Sequence, residues 1–211
     1  MTDPGSSPRR SRGPLVLFAA VAVAGLVAAG AGLLLQRGRT AAPQVLGAVP
    51  SFSLVERSGR TVTREDLAGR PWVAGFIFTR CGGACPVMTS RMKEIRAAQP
   101  GVTLVSFSVD PGHDTPEVLR DYAARNGIGE GWLMLTGEQD RLHALARDGF
   151  HLAAAAVPAD EQARGGDGPF LHSSRLVLVD AHARIRGYYD SGEADALAAL
   201  RRDLAAVAAG S

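Results

Sequence analysis

Cysteine is nearly absent: the 211-residue chain has two, Cys81 and Cys85. Long basic runs are missing as well beyond residue 40, where Arg201-Arg202 is the longest, and an exposed helix face accounts for that pair. Nothing resembles a nucleic-acid-binding stripe, so nucleic acid is excluded as a partner. No internal repeat is found. The formal charge of +2 misleads, because five of the 23 basic residues and one of the 21 acidic ones lie in the first 40 positions. That leaves 18 basic and 20 acidic residues, a net of −2, for the rest of the chain.

One long apolar run stands against these absences. Leu15 to Leu35 gives 21 consecutive positions without a charge, dominated by Ala, Val, Leu and Gly, which is long enough to cross a hydrocarbon core as a helix. Arg9, Arg10 and Arg12 precede it against Asp3, and Arg37 and Arg39 follow it, so the positive-inside bias tips only slightly toward a cytoplasmic N-terminus. The expected organisation is a cytoplasmic tail over 1–13, a single-pass anchor over 14–36, a linker over 37–48 and one domain over 49–208. That domain is expected on the extracytoplasmic, or periplasmic, side of the cytoplasmic membrane. The alternative is a cleaved signal peptide processed among Ala28 to Ala31, against which the length of the apolar run argues.

Beyond the linker, strand and helix patterns alternate. Phe52 to Glu56 reads as a short strand, 57–60 as a turn, and Thr63 as the cap of a brief helix over Arg64 to Leu67. Trp72 to Phe78 is a buried strand. It leads into the cysteine turn, after which Pro86 takes the first helical position, and Val87, Met88, Met92 and Ile95 form an apolar stripe. Strands follow over Val102 to Val109, Trp132 to Leu135, Arg175 to Asp180 and Ala183 to Tyr189. Helices follow over a segment capped by Thr115 and stopped at Asn126-Gly127, over Glu138 to Asp148, and over Glu193 to Ala208. Residues 153–171, four alanines and then a Gly- and Pro-rich run, are the one long irregular stretch, of a length that is usually functional or mobile. The fold class is α/β, a central mixed sheet flanked by helices, with the cysteines at the carboxyl end of a strand, where such sheets place their sites.

A Cys-x-x-x-Cys pair at a strand-to-helix turn puts two thiols at a helix N-terminus, which favours thiolate, the form that attacks disulfides and binds soft metals. A loop this short restricts the unfolded chain little, so exchange or ligation suits the pair better than a structural disulfide. The chemistry is redox, metal binding, or both.

Four blocks carry a family resemblance: Phe76-Ile77-Phe78-Thr79-Arg80-Cys81-x-x-x-Cys85-Pro86; Ser108-Val109-Asp110-Pro111-x-x-Asp114-Thr115-Pro116; Trp132-x-x-Leu135-Thr136-Gly137; and Phe170-Leu171-His172-Ser173-Ser174-x-x-x-Leu178-Val179-Asp180. In order and spacing they resemble the Sco (SenC) family of copper-binding assembly proteins for cytochrome c oxidase, over roughly residues 49 to 206. The resemblance implies a thioredoxin-like fold and a copper site of Cys81, Cys85 and His172, with Asp110 as a supporting residue. It also implies partners: the copper-centre subunit of the oxidase, and a copper donor or thiol reductant. Gly82-Gly83 departs from the family pattern, where many members carry Pro and an acidic residue.

The bare chemistry agrees with that ligand set. Two thiolates and an imidazole suit Cu(I), whereas zinc wants a fourth ligand that the sequence does not obviously supply. His113, His143, His151 and His182 have no paired spacing with the cysteines and read as surface or supporting residues, and Met88 and Met92 read as core. The leading expectation is a membrane-anchored copper carrier. The alternative is a thiol-disulfide oxidoreductase acting through Cys81 and Cys85. A thiol peroxidase would need a Pro-x-x-x-Thr-x-x-Cys arrangement, which the chain lacks.

Overall fold

The computed structural model describes residues 41–156 and 170–210, with residues 154–156 and 170–172 described by their backbone alone. The tail and anchor expected over 1–36 lie outside the described residues, among which no helix is long and apolar enough to cross a membrane.

Ten strands run in chain order as β1 (Gly47–Ala48), β2 (Ser53–Glu56), β3 (Thr61–Thr63), β4 (Trp72–Ile77), β5 (Thr103–Ser108), β6 (Trp132–Thr136), β7 (Ala154–Ala156), β8 (Phe170–His172), β9 (Arg175–Val179) and β10 (Arg184–Asp190). Eight of them form one sheet in the order β1-β10-β9-β4-β5-β6-β2-β3, and β7 pairs with β8 in a separate ribbon. The helices are α1 (Ala84–Ala98), α2 (Pro116–Arg125), α3 (Gln139–Ala144) and α4 (Ala194–Ala209). Strands β4, β5 and β6 are parallel, while β9 runs antiparallel to β4.

Strand β4 shows why the sheet sits at the centre. All six of its residues are buried, as a strand covered on both faces requires. Side chains alternate, so neighbours face opposite layers. Phe76 stacks on Phe107 with centroids 5.0 Å apart and meets Phe150 edge-on at 5.2 Å. Gly75, next along, faces α1: a Cβ there would sit 3.3 Å from Met88 Cε and 3.4 Å from Met92 Sδ. Both methionines are fully buried, which bears out their reading as core. Helix α4 contributes Leu197, Leu200, Leu204 and Val207 at helical spacing, and Gln99 Nε2 at the end of α1 donates to the Arg201 carbonyl.

Local signals place most elements within a residue or two. Thr115 caps α2 by accepting from Val118 N–H, Pro116 comes next, and Gly127 supplies the left-handed φ of +62° beyond the helix end. Several expectations need correction. Thr63 does not cap the turn after it: its N–H and hydroxyl both donate to the Asp66 carboxylate, at 2.8 and 2.9 Å, the reverse polarity of the predicted cap. Helix α1 starts at Ala84 and not at Pro86, so Cys85 lies inside its first turn; Pro86 is tolerated there because first-turn N–H groups have no helical partner anyway. The expected helix over 138–148 closes in a wide turn, Leu145–Gly149, that delivers Phe150 to the core. Three of the four alanines of the irregular stretch, Ala154 to Ala156, form β7, and its middle, 157–169, lies outside the described residues.

The segment read as a linker over 37–48 ends as part of the sheet. Gly47 and Ala48 pair with Ile185 and Arg184, and Arg186 Nε donates to the Pro43 carbonyl at 2.8 Å. Arg186 is held in turn by Asp180 Oδ2 at 2.9 Å, and Asp180 also receives Arg184 Nε and the N–H groups of His182 and Arg184. Burial alone would raise the Asp180 carboxyl, but the hydrogen bonds from Arg184, Arg186 and His182 outweigh it and hold the group below its ordinary value. A depressed carboxylate adds stability that is present above its unfolded value and lost as pH falls through the folded one. Asp180→Asn is therefore expected to cost about 2 kcal/mol near pH 7 and to flatten the acid limb of the stability curve. Urea unfolding of both proteins from pH 7 down to pH 3 measures it, and parallel curves would contradict the assignment.

Candidate dithiol and metal site

Strands β4 and β5 run in parallel with Ile77 opposite Ser108, so the chain leaves both strands at the same edge of the sheet. The loop after β4 is tied to the loop after β5. Asp114, fully buried, accepts from Thr79 N–H at 3.1 Å and Thr79 Oγ1 at 2.5 Å, and from Ser108 Oγ at 2.7 Å. Asp110, also buried, accepts from Arg80 Nε at 3.0 Å and Nη2 at 2.5 Å. Two consecutive residues before Cys81 are thus pinned by two carboxylates four positions apart, and Cys81 N–H closes the turn on the Phe78 carbonyl at 3.3 Å.

Asp110, the supporting residue that the family resemblance implies, acts on the turn through Arg80. Asp114, which as a sequence feature reads equally well as a helix-start residue beside Thr115, is the more deeply engaged of the two. Thr79 and Ser108 are site residues that sequence reasoning misses. Their only signal is that of short polar side chains within the blocks that carry the resemblance, and the partner of each lies on a different segment. Burial pushes the Asp114 carboxyl up, the Thr79 and Ser108 hydrogen bonds pull it down, and the charge of Asp110 adds to the rise.

The thiols themselves depart from the helix-terminus expectation. Cys85 is fully buried and Cys81 is 7% exposed, and no disulfide joins them. Burial pushes the Cys85 thiol well above its ordinary value; a hydrogen bond from Phe78 N–H opposes this, while Cys81 and Asp114 reinforce it. Desolvation outweighs the helix N-terminus here, so Cys85 is held as a thiol. One turn further along α1, Thr89 Oγ1 shares a hydrogen bond with the buried Tyr122 hydroxyl of α2 at 3.0 Å, which ties the two helices together beneath the pair. Burial raises the Tyr122 phenol, with Thr89 opposing and Cys85 adding to the rise.

His172 ends β8, its backbone opposite Ala154 of β7. Three residues on, β9 begins, and it runs antiparallel to β4 with Ala74 opposite Val177. The start of β9 therefore lies toward the end of β4 from which the cysteine turn departs, so the topology carries the His172 backbone to that edge; its side chain lies outside the described residues. Of the other histidines, His143 Nε2 meets the Val109 carbonyl at 2.8 Å, just ahead of Asp110, while His113, His151 and His182 are exposed. Among the described residues no three His, Cys, Asp or Glu side chains cluster as a metal site.

The donor chemistry fits a soft cation. Both nearby carboxylates are occupied by Thr79, Ser108 and Arg80, which leaves the two sulfurs as the donors the turn presents. Hard cations that seek several oxygens find no such cage among the described residues. Reversible oxidation of the pair is the other chemistry that two sulfurs on one turn support.

Comparison with known proteins agrees with this fold. The SCO1/SenC family matches residues 41–208. An SCO1 protein homolog of Bacillus subtilis is 33% identical over 151 residues, covering 69% of this chain and 75% of its own. A protein of Stutzerimonas stutzeri named for copper binding is 32% identical over 146 residues, 67% of this chain and 68% of its own. Among solved structures, BsSco, a member of the Sco family of cytochrome c oxidase assembly proteins, superposes with a TM-score of 0.66 at 28% identity, covering 81% of this chain and 98% of that one. The curled sheet flanked by helices is the thioredoxin-like fold of such proteins, and the chain belongs to the SCO1/SenC family.

Proposed function

We propose that this protein is a membrane-anchored copper carrier that binds copper through Cys81, Cys85 and His172 and assists assembly of the dinuclear copper centre of cytochrome c oxidase on the extracytoplasmic side. The observation that carries the reading is the cysteine turn itself: two reduced thiols fixed on a rigid edge by Asp110 and Asp114, with the His172 backbone brought to that edge by β9. Copper is the cargo. The turn holds the sulfurs in place before metal arrives, and metal binding releases protons because each thiol ligates as thiolate. Copper binding by the Stutzerimonas relative and oxidase assembly by the Sco family support the choice of metal and client. The copper donor and the oxidase copper-centre subunit are the partners this role requires.

A second reading, thiol-disulfide exchange, is favoured by the unequal burial of the pair. Cys81, the more accessible, attacks a partner's disulfide as thiolate; the new sulfur-sulfur bond forms as the partner's bond breaks, and the departing partner thiolate takes up a proton. Cys85, deprotonated in the second step, attacks Cys81 and releases the partner's other sulfur, so the partner is reduced and the pair oxidised. The depressed acidity of Cys85 makes that second step slow at neutral pH until the mixed disulfide or a metal alters its surroundings.

Cys81→Ser and Cys85→Ser should each abolish tight Cu(I) binding and all disulfide exchange, since one thiol gives neither a two-sulfur clamp nor a resolving group. Competition against a Cu(I) chelator decides this, and wild-type stoichiometry in either variant would count against the reading. His172→Ala should spare disulfide formation and weaken Cu(I) binding, while Cu(II) affinity falls by at least the roughly 10–100-fold that losing even an orienting partner costs. In the wild type, binding should weaken as pH drops through the imidazole range near 6.5, because protonation removes the ligating lone pair. Finally, intact-mass analysis of membrane-extracted protein should find Leu15 to Leu35 retained; loss of about the first 30 residues, the scale of a signal peptide, would sink the anchor.

A further inference from the structure

The cysteines and His172 are about 90 residues apart in the chain, and a run of hydrogen bonds on one side of the fold joins the segments that carry them. Arg91 lies six positions after Cys85 on α1. Its Nε donates to the Ser191 carbonyl at 3.2 Å, and its Nη1 donates to Glu94 Oε1 at 2.9 Å. Ser191 is buried in the turn after β10, and its N–H donates to the Ser174 carbonyl at 3.2 Å. Ser174 lies two positions after His172, and its hydroxyl donates to Asp190 Oδ2 at 3.3 Å. The same corner is tied to the ribbon, since Ser173 N–H donates to the Ala153 carbonyl at 3.2 Å.

The guanidinium is held from the other side as well. Glu94, its partner one turn along α1, also faces Arg201 of α4 at 3.5 Å. Arg91 therefore has little freedom to leave the Ser191 carbonyl, and its planar fork loses less entropy in keeping several bonds than a lysine would. The side chain is 30% exposed and Arg91 is not among the buried residues of α1, so removing it spares the apolar layer where Met88, Met92 and Ile95 lie.

The geometry points to Arg91 as a positioning residue that sets the separation between the cysteine helix and the corner bearing His172, and so favours Cu(II) relative to Cu(I) at the site. The inference rests on His172 being a ligand. Cu(I) is satisfied by two sulfurs and tolerates a loosened third donor, whereas Cu(II) favours nitrogen and a higher coordination number. If the corner drifts from the cysteine turn, the fraction of molecules with all donors in reach falls, and apparent affinity falls with that fraction. The oxidation state that leans more on the imidazole therefore registers the larger loss.

The test uses the full-length, detergent-solubilised protein as wild type, Arg91→Gln, Arg91→Lys and His172→Ala. Amide hydrogen exchange on the metal-free forms is read at Ser191 and 170–174, and Cu(II) and Cu(I) affinities are measured by chelator competition. Arg91→Gln is expected to speed exchange at Ser191, to weaken Cu(II) about tenfold and to change Cu(I) by less than about threefold, with Arg91→Lys intermediate. Unchanged exchange and unchanged Cu(II) affinity in Arg91→Gln, with Cu(II) lost in His172→Ala, overturns the positioning role and leaves the ligand set standing. Faster exchange without a Cu(II) effect, or equal loss of both oxidation states, also overturns it. Wild-type Cu(II) binding by His172→Ala overturns the ligand set, and the inference with it.

Discussion

A carboxylate sealed from water governs the reactive end of this molecule. Asp114 receives three hydrogen bonds from Thr79 and Ser108, and no solvent reaches it to replace one that breaks. A buried acceptor left short of donors costs roughly 1–3 kcal/mol, more if charged, so the turn after β4 cannot relax away from the loop after β5 without that penalty. The parallel pairing of β4 and β5 brings the two loops together, and Asp114 converts their proximity into a fixed register. The neighbouring Arg80 to Asp110 ion pair repeats the arrangement one residue on, with a partly exposed donor. The rigidity of the cysteine turn thus comes from outside it. Gly82 and Gly83 contribute no side chain, and the Gly82 position has nothing within reach of a Cβ.

The same surroundings set the reactivity of the two sulfurs apart. A helix terminus stabilises a thiolate by a fraction of a charge, while complete burial removes the solvation of a whole one. At Cys85 burial wins. The pair is therefore asymmetric, and Cys81 is the sulfur that anything approaching from solvent meets first. Tight seating of α1 on Gly75 through Met88 and Met92 keeps Cys85 in that dry position, so the core and the chemistry are continuous.

Much of this is legible in the sequence because it is local. The cap at Thr115, the stop at Gly127, the apolar run of β4 and the stripe of α1 are written in neighbouring residues, and the structure tracks them closely except at Val87, which the stripe includes and the structure leaves 42% exposed. The cysteine pair is legible as a site because the strand before it and the helix after it are. Three features are hidden, each for a tertiary reason. Ala154 to Ala156 would favour a helix in isolation, and only pairing with β8 makes them a strand. The burial of Cys85 depends on how α1 docks, which no terminus rule contains. Asp114 beside Thr115 looks like the start of a helix, and its partner Thr79 is 35 positions away.

The edge of the sheet carries a practical consequence. Pro43 is bound by Arg186, Leu46 N–H donates to the Ile185 carbonyl, and Gly47 and Ala48 cover β10. These residues contain little that looks structural, and two of them, Val45 and Leu46, are about half exposed. A soluble fragment begun at residue 49 would strip the cover from β10 and bare a row of unpaired backbone groups, the kind of border along which separate chains zip together. Beginning the fragment before Pro43 keeps that border closed, so the choice of a few residues with no chemistry of their own separates a monodisperse preparation from an aggregating one.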